Sequence, residues 1–150
     1  MIIGAALDDL GAGHLVCVDP KPLVASEHWQ QLRHHATLVT GPSPEVLREA
    51  VAAAGGAFDF VLIDGDHGRA GVAKDIEGVL PVLTDGAYVI FHDAHYFEVA
   101  EAIDEMVHKH ADRLMDCGML STEQTPEGRS IDGKPVIWGG LRLLRHRAAA

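Results

Sequence analysis

Three short apolar runs of this chain each stop on an acid: His14–Asp19 (HLVCVD), Phe58–Asp64 (FDFVLID) and Ala87–Asp93 (AYVIFHD). Runs of that length, rich in Val, Ile and Phe and followed by glycine, proline or a polar turn, read as buried strands. Amphipathic stretches separate them, so strand and helix alternate along the chain. Such alternation favours an α/β fold with a mostly parallel sheet covered by helices on both faces. Ligand sites in these sheets lie beyond the C-terminal ends of the strands, which is where the three acids fall.

The pattern continues around those runs. Met1–Leu10 reads as a helix running to Gly11. Leu23–His34, with Trp29 and Leu32 at helical spacing, predicts a second helix, and Ala36–Thr40 a strand stopped by Gly41-Pro42. Ser43 is placed to N-cap a third helix with Pro44 at its first position. Val46, Leu47, Ala50, Val51 and Ala54 form its apolar face, and Gly55-Gly56 end it. Val72–Leu83 predicts a helix whose last turn Pro81 bends or shortens, and Asp85-Gly86 a turn into the third acid-tipped strand. Val99, Ile103, Met106 and Val107 mark a helix ending near His110. Leu114–Leu120 and Val136–Arg145 are further strands on either side of a polar loop, Ser121–Lys134. Lacking a crossover helix between them, they are expected to form an antiparallel hairpin that closes the sheet edge. No repeat or linker interrupts residues 1–150, which are expected to make a single domain.

At 150 residues, 47% of them apolar, the chain can bury a core and is neither disordered nor a coiled coil. Twelve Lys and Arg against 22 Asp and Glu give a net charge of −10. That balance repels a phosphate backbone, so no nucleic-acid partner is expected. No apolar stretch approaches the roughly 20 residues that span a bilayer, and Met1–Leu7 lacks the basic start of a secretory signal. Cys17 and Cys117, without a CxxC pair, read as reduced, buried thiols of a cytoplasmic protein with no membrane partner.

Three groups of residues could carry chemistry. Asp19, at a strand tip, could accept both hydroxyls of a ribose or simply cap the turn into Pro20-Lys21-Pro22. Asp64-Gly65-Asp66-His67 follows the clearest strand. Asp64 could ligate a hard cation such as Mg²⁺, and His67 could take a proton from a substrate hydroxyl near neutral pH. The plain alternative is a solvated Asp-Gly turn. His92-Asp93 closes the next strand. If these strands are neighbours, Asp64 and Asp93 lie side by side and repel unless a cation, proton or base sits between them. The plain alternative has His92 packed under a loop and Asp93 capping the next helix. His28, His34 and His35 fall on or after a surface helix, and His108 and His110 at an exposed helix end. None has the spacing of a closed zinc site. Trp29 and Trp138 read as packing residues.

Taken whole, FDFVLIDGDHGRAGVAKDIEGVLPVLTDGAYVIFHDAH resembles the second half of class I S-adenosylmethionine-dependent methyltransferases. The nearest group is the metal-dependent O-methyltransferases of catechol, macrolide-sugar and cephalosporin-pathway type. Their pattern is an apolar strand, Asp-Gly-x-His, an amphipathic helix, a Leu-rich turn and a strand closing in His-Asp. The resemblance spans Leu10 to about Arg145 and is most specific over 58–94. It implies a Rossmann-like doubly wound fold, S-adenosylmethionine as cofactor, and Mg²⁺ or another divalent cation. Position by position, it implies that Asp19 holds the cofactor ribose, with Gly41 and Ser43 in the loop beside the adenine. It likewise makes Asp64, His92 and Asp93 the metal ligands, with Asp64 also bordering the cofactor. His67 matches the general base and works with Asp64, and WGGLRLLR resembles the last antiparallel strand. The implied acceptor is a small-molecule hydroxyl, deprotonated by His67, whose oxygen attacks the methyl group in line.

The first strand of that family's fold and its glycine loop have no counterpart. Gly4 stands only 15 residues before Asp19, too few for a glycine turn, a helix and a strand. The chain is therefore expected to be an N-terminally truncated domain whose unpaired strand edges favour a homo-oligomer. Two other classes stay open: a non-catalytic remnant or subunit that keeps the fold, and a metal-dependent hydrolase using Asp64, His67, His92 and Asp93. The ribose-type acid at Asp19 argues against the hydrolase.

Overall fold

The structure, a computed structural model, describes residues 2–148. Its contacts divide the chain into two compact units, Met1–Ala57 and Phe58–Ala150.

In the first unit α1 (Ile2–Leu10), β1 (Leu15–Asp19), α2 (Ser26–Leu32), β2 (Ala36–Thr40) and α3 (Leu47–Ala54) follow in order. The crossover through α2 lets β1 and β2 pair in parallel, from Leu15 opposite Ala36 to Asp19 opposite Thr40, as a sheet of two strands. The apolar positions of β2 and α3 meet there, and Ala36, Val39, Leu47 and Ala50 are buried. Gly55, left-handed at φ 77°, ends α3 as the sequence predicts. Two boundaries differ from expectation. Leu23 stays outside α2, 97% exposed, because no core reaches it. Ser43 does not cap α3: residues 43–46 form a turn and the helix starts at Leu47. Val46 folds back against Gly41 within this turn, where a Cβ on Gly41 would clash with its side chain.

The second unit runs β3 (Phe58–Ile63), α4 (Arg69–Val79), a 3₁₀ turn at Leu80–Val82, β4 (Leu83–His92), α5 (Phe97–Lys109), β5 (Leu114–Ser121), β6 (Thr125–Arg129), β7 (Pro135–Trp138) and β8 (Leu141–His146). The main sheet has the order β3-β4-β8-β5, with β3 and β4 parallel and β8 antiparallel to both neighbours. Among the described residues no strand pairs with the other edge of β3. The core unites Ile63, Val89, Phe91 and Leu144 of the sheet with Val72, Ile76 and Val79 of α4 and Val99, Ala102, Ile103 and Met106 of α5. Strand alternation leaves Phe60, Leu62 and Tyr88 half-exposed. Pro81 ends α4 in the 3₁₀ turn, as its missing N–H requires.

Three sequence readings change here. Asp85-Gly86 lies inside β4 at an irregularity, where Phe58 is opposite Leu83 but Phe60 is already opposite Tyr88. The loop Ser121–Lys134 contains β6, which forms an antiparallel hairpin with β7. All five β6 residues are exposed, so no alternation of apolar residues could announce that strand. Gly139-Gly140 splits the stretch Val136–Arg145 into β7 and β8. The expected antiparallel pairing of β5 with the last strand forms, but β8 sits inside the sheet and β5 takes the edge.

His146 is the one buried polar residue of the described core, 3% exposed. Its Nδ1 faces Thr84 O at 2.8 Å, so Nδ1 carries the proton and Nε2 accepts from Arg113 Nη2 at 3.2 Å. Both cysteines are free. Cys17 is half-buried, but Cys117 is exposed on β5 rather than buried. Among the described residues no helix is long and apolar enough to cross a membrane.

Candidate active site at the ends of β3 and β4

β3 and β4 run in parallel with Ile63 opposite Phe91, so the residues that follow, Asp64 and His92-Asp93, leave the sheet at the same end. His92 Nδ1 lies 3.2 Å from Asp64 Oδ1 and 3.0 Å from Asp93 Oδ2. His67 Nε2 reaches the same Asp93 Oδ2 at 2.9 Å. The other oxygen, Oδ1, accepts the Gly139 N–H at 2.6 Å. Two imidazoles, one from the tip of β4 and one from the turn before α4, and the Gly139 N–H thus meet on one carboxylate, with Asp64 against His92.

Local geometry explains the convergence. Asp66 Oδ1 accepts the Gly68 N–H at 2.9 Å, a side-chain turn that brings His67 round before α4 begins. The first N–H of α4, on Arg69, is satisfied by Glu98 Oε2 at 3.0 Å. Asp93 itself is left-handed at φ 51°, and Ala94 and His95 donate to the carbonyls of Gly140 and Gly139 at 3.3 and 3.1 Å. That approach is close. A Cβ on Gly139 would stand 2.6 Å from Glu123 O, and one on Gly140 2.6 Å from His95 Cδ2. Only glycine fits either place at their positive φ.

Asp93 is 13% exposed, against 54% for Asp64, 32% for His67 and 45% for His92. Burial is the strongest single influence on Asp93 and pushes its carboxyl upward. The Gly139 N–H, His67 and His92 together outweigh it and hold the group below the usual carboxylate range. Asp93 is therefore ionised at neutral pH. Asp64, His67 and Asp93 each present a ligand atom within 4.8 Å of the others, and His92 touches both acids. Two carboxylates suit a hard divalent cation, with imidazole as an added borderline donor. The donor set fits such an ion.

Aromatic residues wall this cluster. Tyr96 and Trp138 stack with centroids 4.7 Å and planes 5° apart, and His67 stands edge-on to them at 6.3 and 5.3 Å. The β6–β7 hairpin holds Trp138, whose Nε1 donates to Glu127. Trp138 reads from the sequence as a packing residue, and no catalytic motif singles out Tyr96 or Gly139. The Trp-Gly-Gly order was the available signal, since paired glycines mark a close approach that carries the preceding side chain with it.

In the first unit, Asp19 ends β1 opposite Thr40, and Gly41, the residue after β2, donates its N–H to Asp19 O at 3.1 Å. Asp19 is exposed, and its Oδ1 accepts the Lys21 N–H at 2.7 Å, the turn-capping role weighed above. Ser43 lies two residues beyond Gly41 in the turn before α3.

A family model described as a methyltransferase domain matches residues 1–94. No curated protein matches the chain in sequence. Solved structures do resemble it. The O-methyltransferase TomG from Streptomyces achromogenes, in complex with SAM, is 16% identical over 91% of this chain and 63% of its own, with a TM-score of 0.62. The O-methyltransferase from Bacillus cereus, in complex with SAH, is 16% identical over 90% and 63%, with a TM-score of 0.63. The precorrin-6y C5,15-methyltransferase from Geobacter metallireducens is 14% identical over 97% and 73%, with a TM-score of 0.64. These likenesses establish the Rossmann-like α/β fold of class I methyltransferases. The chain spans 63% of the length of the Streptomyces and Bacillus chains.

Proposed function

This chain belongs to the methyltransferase-domain family, and we propose that it serves S-adenosylmethionine-dependent methyl transfer to a hydroxyl of a small molecule. The observation that carries this reading is the meeting of His67 and His92 on Asp93 Oδ2, beside Asp64, at the C-terminal ends of two parallel strands. Asp64, His92 and Asp93 are the residues that would hold Mg²⁺ or a similar cation, which supplies positive charge to acidify the acceptor hydroxyl.

His67 then acts as base. With its Nε2–H donated to Asp93, the ring is fixed in one tautomer and Nδ1 keeps its lone pair. The carboxylate stabilises the imidazolium that forms when Nδ1 takes the acceptor's proton. The stacked Tyr96 and Trp138 keep water from one side of His67. Asp19 is assigned to the cofactor ribose, and the loop of Gly41 and Ser43 to the adenine. The same reading takes the protein as cytoplasmic and self-associating, with neither nucleic acid nor membrane as partner.

Calorimetric titration with S-adenosylhomocysteine, with and without Mg²⁺, tests it. Micromolar binding is expected, together with loss of metal dependence in Asp64→Ala and Asp93→Ala and loss of turnover in His67→Gln. Silence in both titrations overturns the catalytic reading in favour of a non-catalytic subunit. Metal binding accompanied by phosphoester cleavage transfers the site to the hydrolase class.

A further inference from the structure

The first unit holds another cluster of metal-ligating side chains, built from histidines that carry no spacing motif. Asp8 lies in the last turn of α1, and His34 and His35 in the turn that follows α2. Asp8 Oδ1 stands 2.7 Å from His35 Nε2 and 3.2 Å from His34 Nε2. The two rings have centroids 4.2 Å and planes 44° apart, so neighbouring residues aim the same ring atom at one point. The backbone supports this: His35 N–H donates to Leu32 O at 2.9 Å, and Leu15 N–H to His35 O at 2.7 Å. Gly4 brings α1 against the end of α2, since a Cβ there would fall 2.3 Å from Leu32 Cδ2.

We propose that Asp8 Oδ1, His34 Nε2 and His35 Nε2 bind a divalent transition-metal ion of the Zn²⁺, Co²⁺ or Ni²⁺ class. Imidazole nitrogen is a borderline donor that these ions favour, whereas Mg²⁺ takes oxygen. Around tetrahedral Zn²⁺, with bonds of about 2.0–2.1 Å, neighbouring ligand atoms stand roughly 3.3 Å apart. The separations of 2.7 and 3.2 Å are near that value, and one ligand atom from each of the three residues lies within 4.8 Å of the others. An acid in the last turn of a helix faces the negative end of its dipole, and α1 has no basic residue in that turn. A cation answers both charges. Three protein ligands leave the fourth position open, on the side where His34 and Asp8 are 56% and 58% exposed. Bound there, the ion ties the end of α1 to the end of α2.

Zn²⁺ and Co²⁺ titrations of the whole chain test the site, read as binding equivalents and as the visible absorption of Co²⁺. The double substitution His34→Gln/His35→Gln should remove one equivalent while keeping the far-ultraviolet circular dichroism of the wild type, and Asp93→Asn should leave that equivalent in place. A measurement needing no substitution runs alongside: substoichiometric Co²⁺ should broaden the imidazole resonances of His34 and His35. Unchanged equivalents in the double variant overturn the proposal. So do sharp His34 and His35 resonances, or loss of this equivalent on Asp64→Ala.

Discussion

Asp93→Asn removes one charge from a carboxylate that meets His67, His92 and the Gly139 N–H, and little else. Asparagine tolerates the left-handed backbone that Asp93 occupies at φ 51°, so the comparison isolates electrostatics. In the wild type Oδ1 accepts from Gly139 at 2.6 Å, while Oδ2 meets His67 at 2.9 Å and His92 at 3.0 Å. The asparagine oxygen keeps the Gly139 contact, but its NH₂ turns towards ring nitrogens that now face a carboxylate. Hydrogen bonds to a charged group contribute roughly 1.5–3 kcal/mol net, and this group is largely buried, so the loss should be about 2–3 kcal/mol at neutral pH. The sign in acid follows from the lowered carboxyl. Its stabilisation is fully present above the ordinary value of 3.8 and vanishes as pH falls through the lower folded value. Urea unfolding with a slope of about 1–3 kcal/mol per molar should therefore give a midpoint about 1–2 M lower for the variant at pH 7. The gap should close below about pH 4. Asp93→Ala should cost about 1 kcal/mol more, because alanine pays the left-handed strain that asparagine avoids. Equal midpoints at neutral pH, or a gap that persists undiminished into strong acid, would refute the network.

Gly139→Ala places a Cβ 2.6 Å from a backbone oxygen at φ 89°. The strain alone should exceed about 1 kcal/mol, and a thermal midpoint equal to wild type would contradict the close approach. Ile103→Ala, at a fully buried position of α5, should lose about 2–5 kcal/mol in denaturant unfolding. Arg142 bridges Asp104 at 2.7 Å and Asp116 at 2.6 Å while only 16% exposed. Arg142→Met should cost about 1–3 kcal/mol, and added salt should narrow the difference from wild type; a salt-independent difference assigns the loss to packing.

Strand identity was largely legible because these strands write themselves as continuous apolar runs, although β1 buries none of its residues and β3 only Ile63. Ala36–Thr40 coincides with β2, and Phe58–Asp64 overruns β3 by a single residue. The pairing of Asp64 with His92-Asp93 was legible for the same reason, since both follow such runs. What failed depended on contacts that no local apolar pattern or capping signal writes out. Ser43 and Pro44 have the local chemistry of a helix start, yet the chain turns there and the helix begins at Leu47. β6 pairs with β7 and all five of its residues are exposed, so no apolar alternation marks it. Trp138 looked like any packing aromatic until a hairpin set it over His67. Asp8 and His34 are 26 residues apart and meet only because α1 lies against α2.

β8 occupies an interior slot of the sheet although it is the final strand in the chain, and that dictates an order of assembly. Chains emerge from the ribosome N-terminus first, so β3, α4, β4 and α5 are available long before β8. Until β8 docks, β5 has no neighbour in the main sheet. The bond from Gly139 to Asp93 crosses 46 residues, a long loop to close and a slow one. Asp93 thus gains its Gly139 contact only once the segment joining β7 to β8 is in place, and damage near residue 146 should disturb this carboxylate and the sheet together.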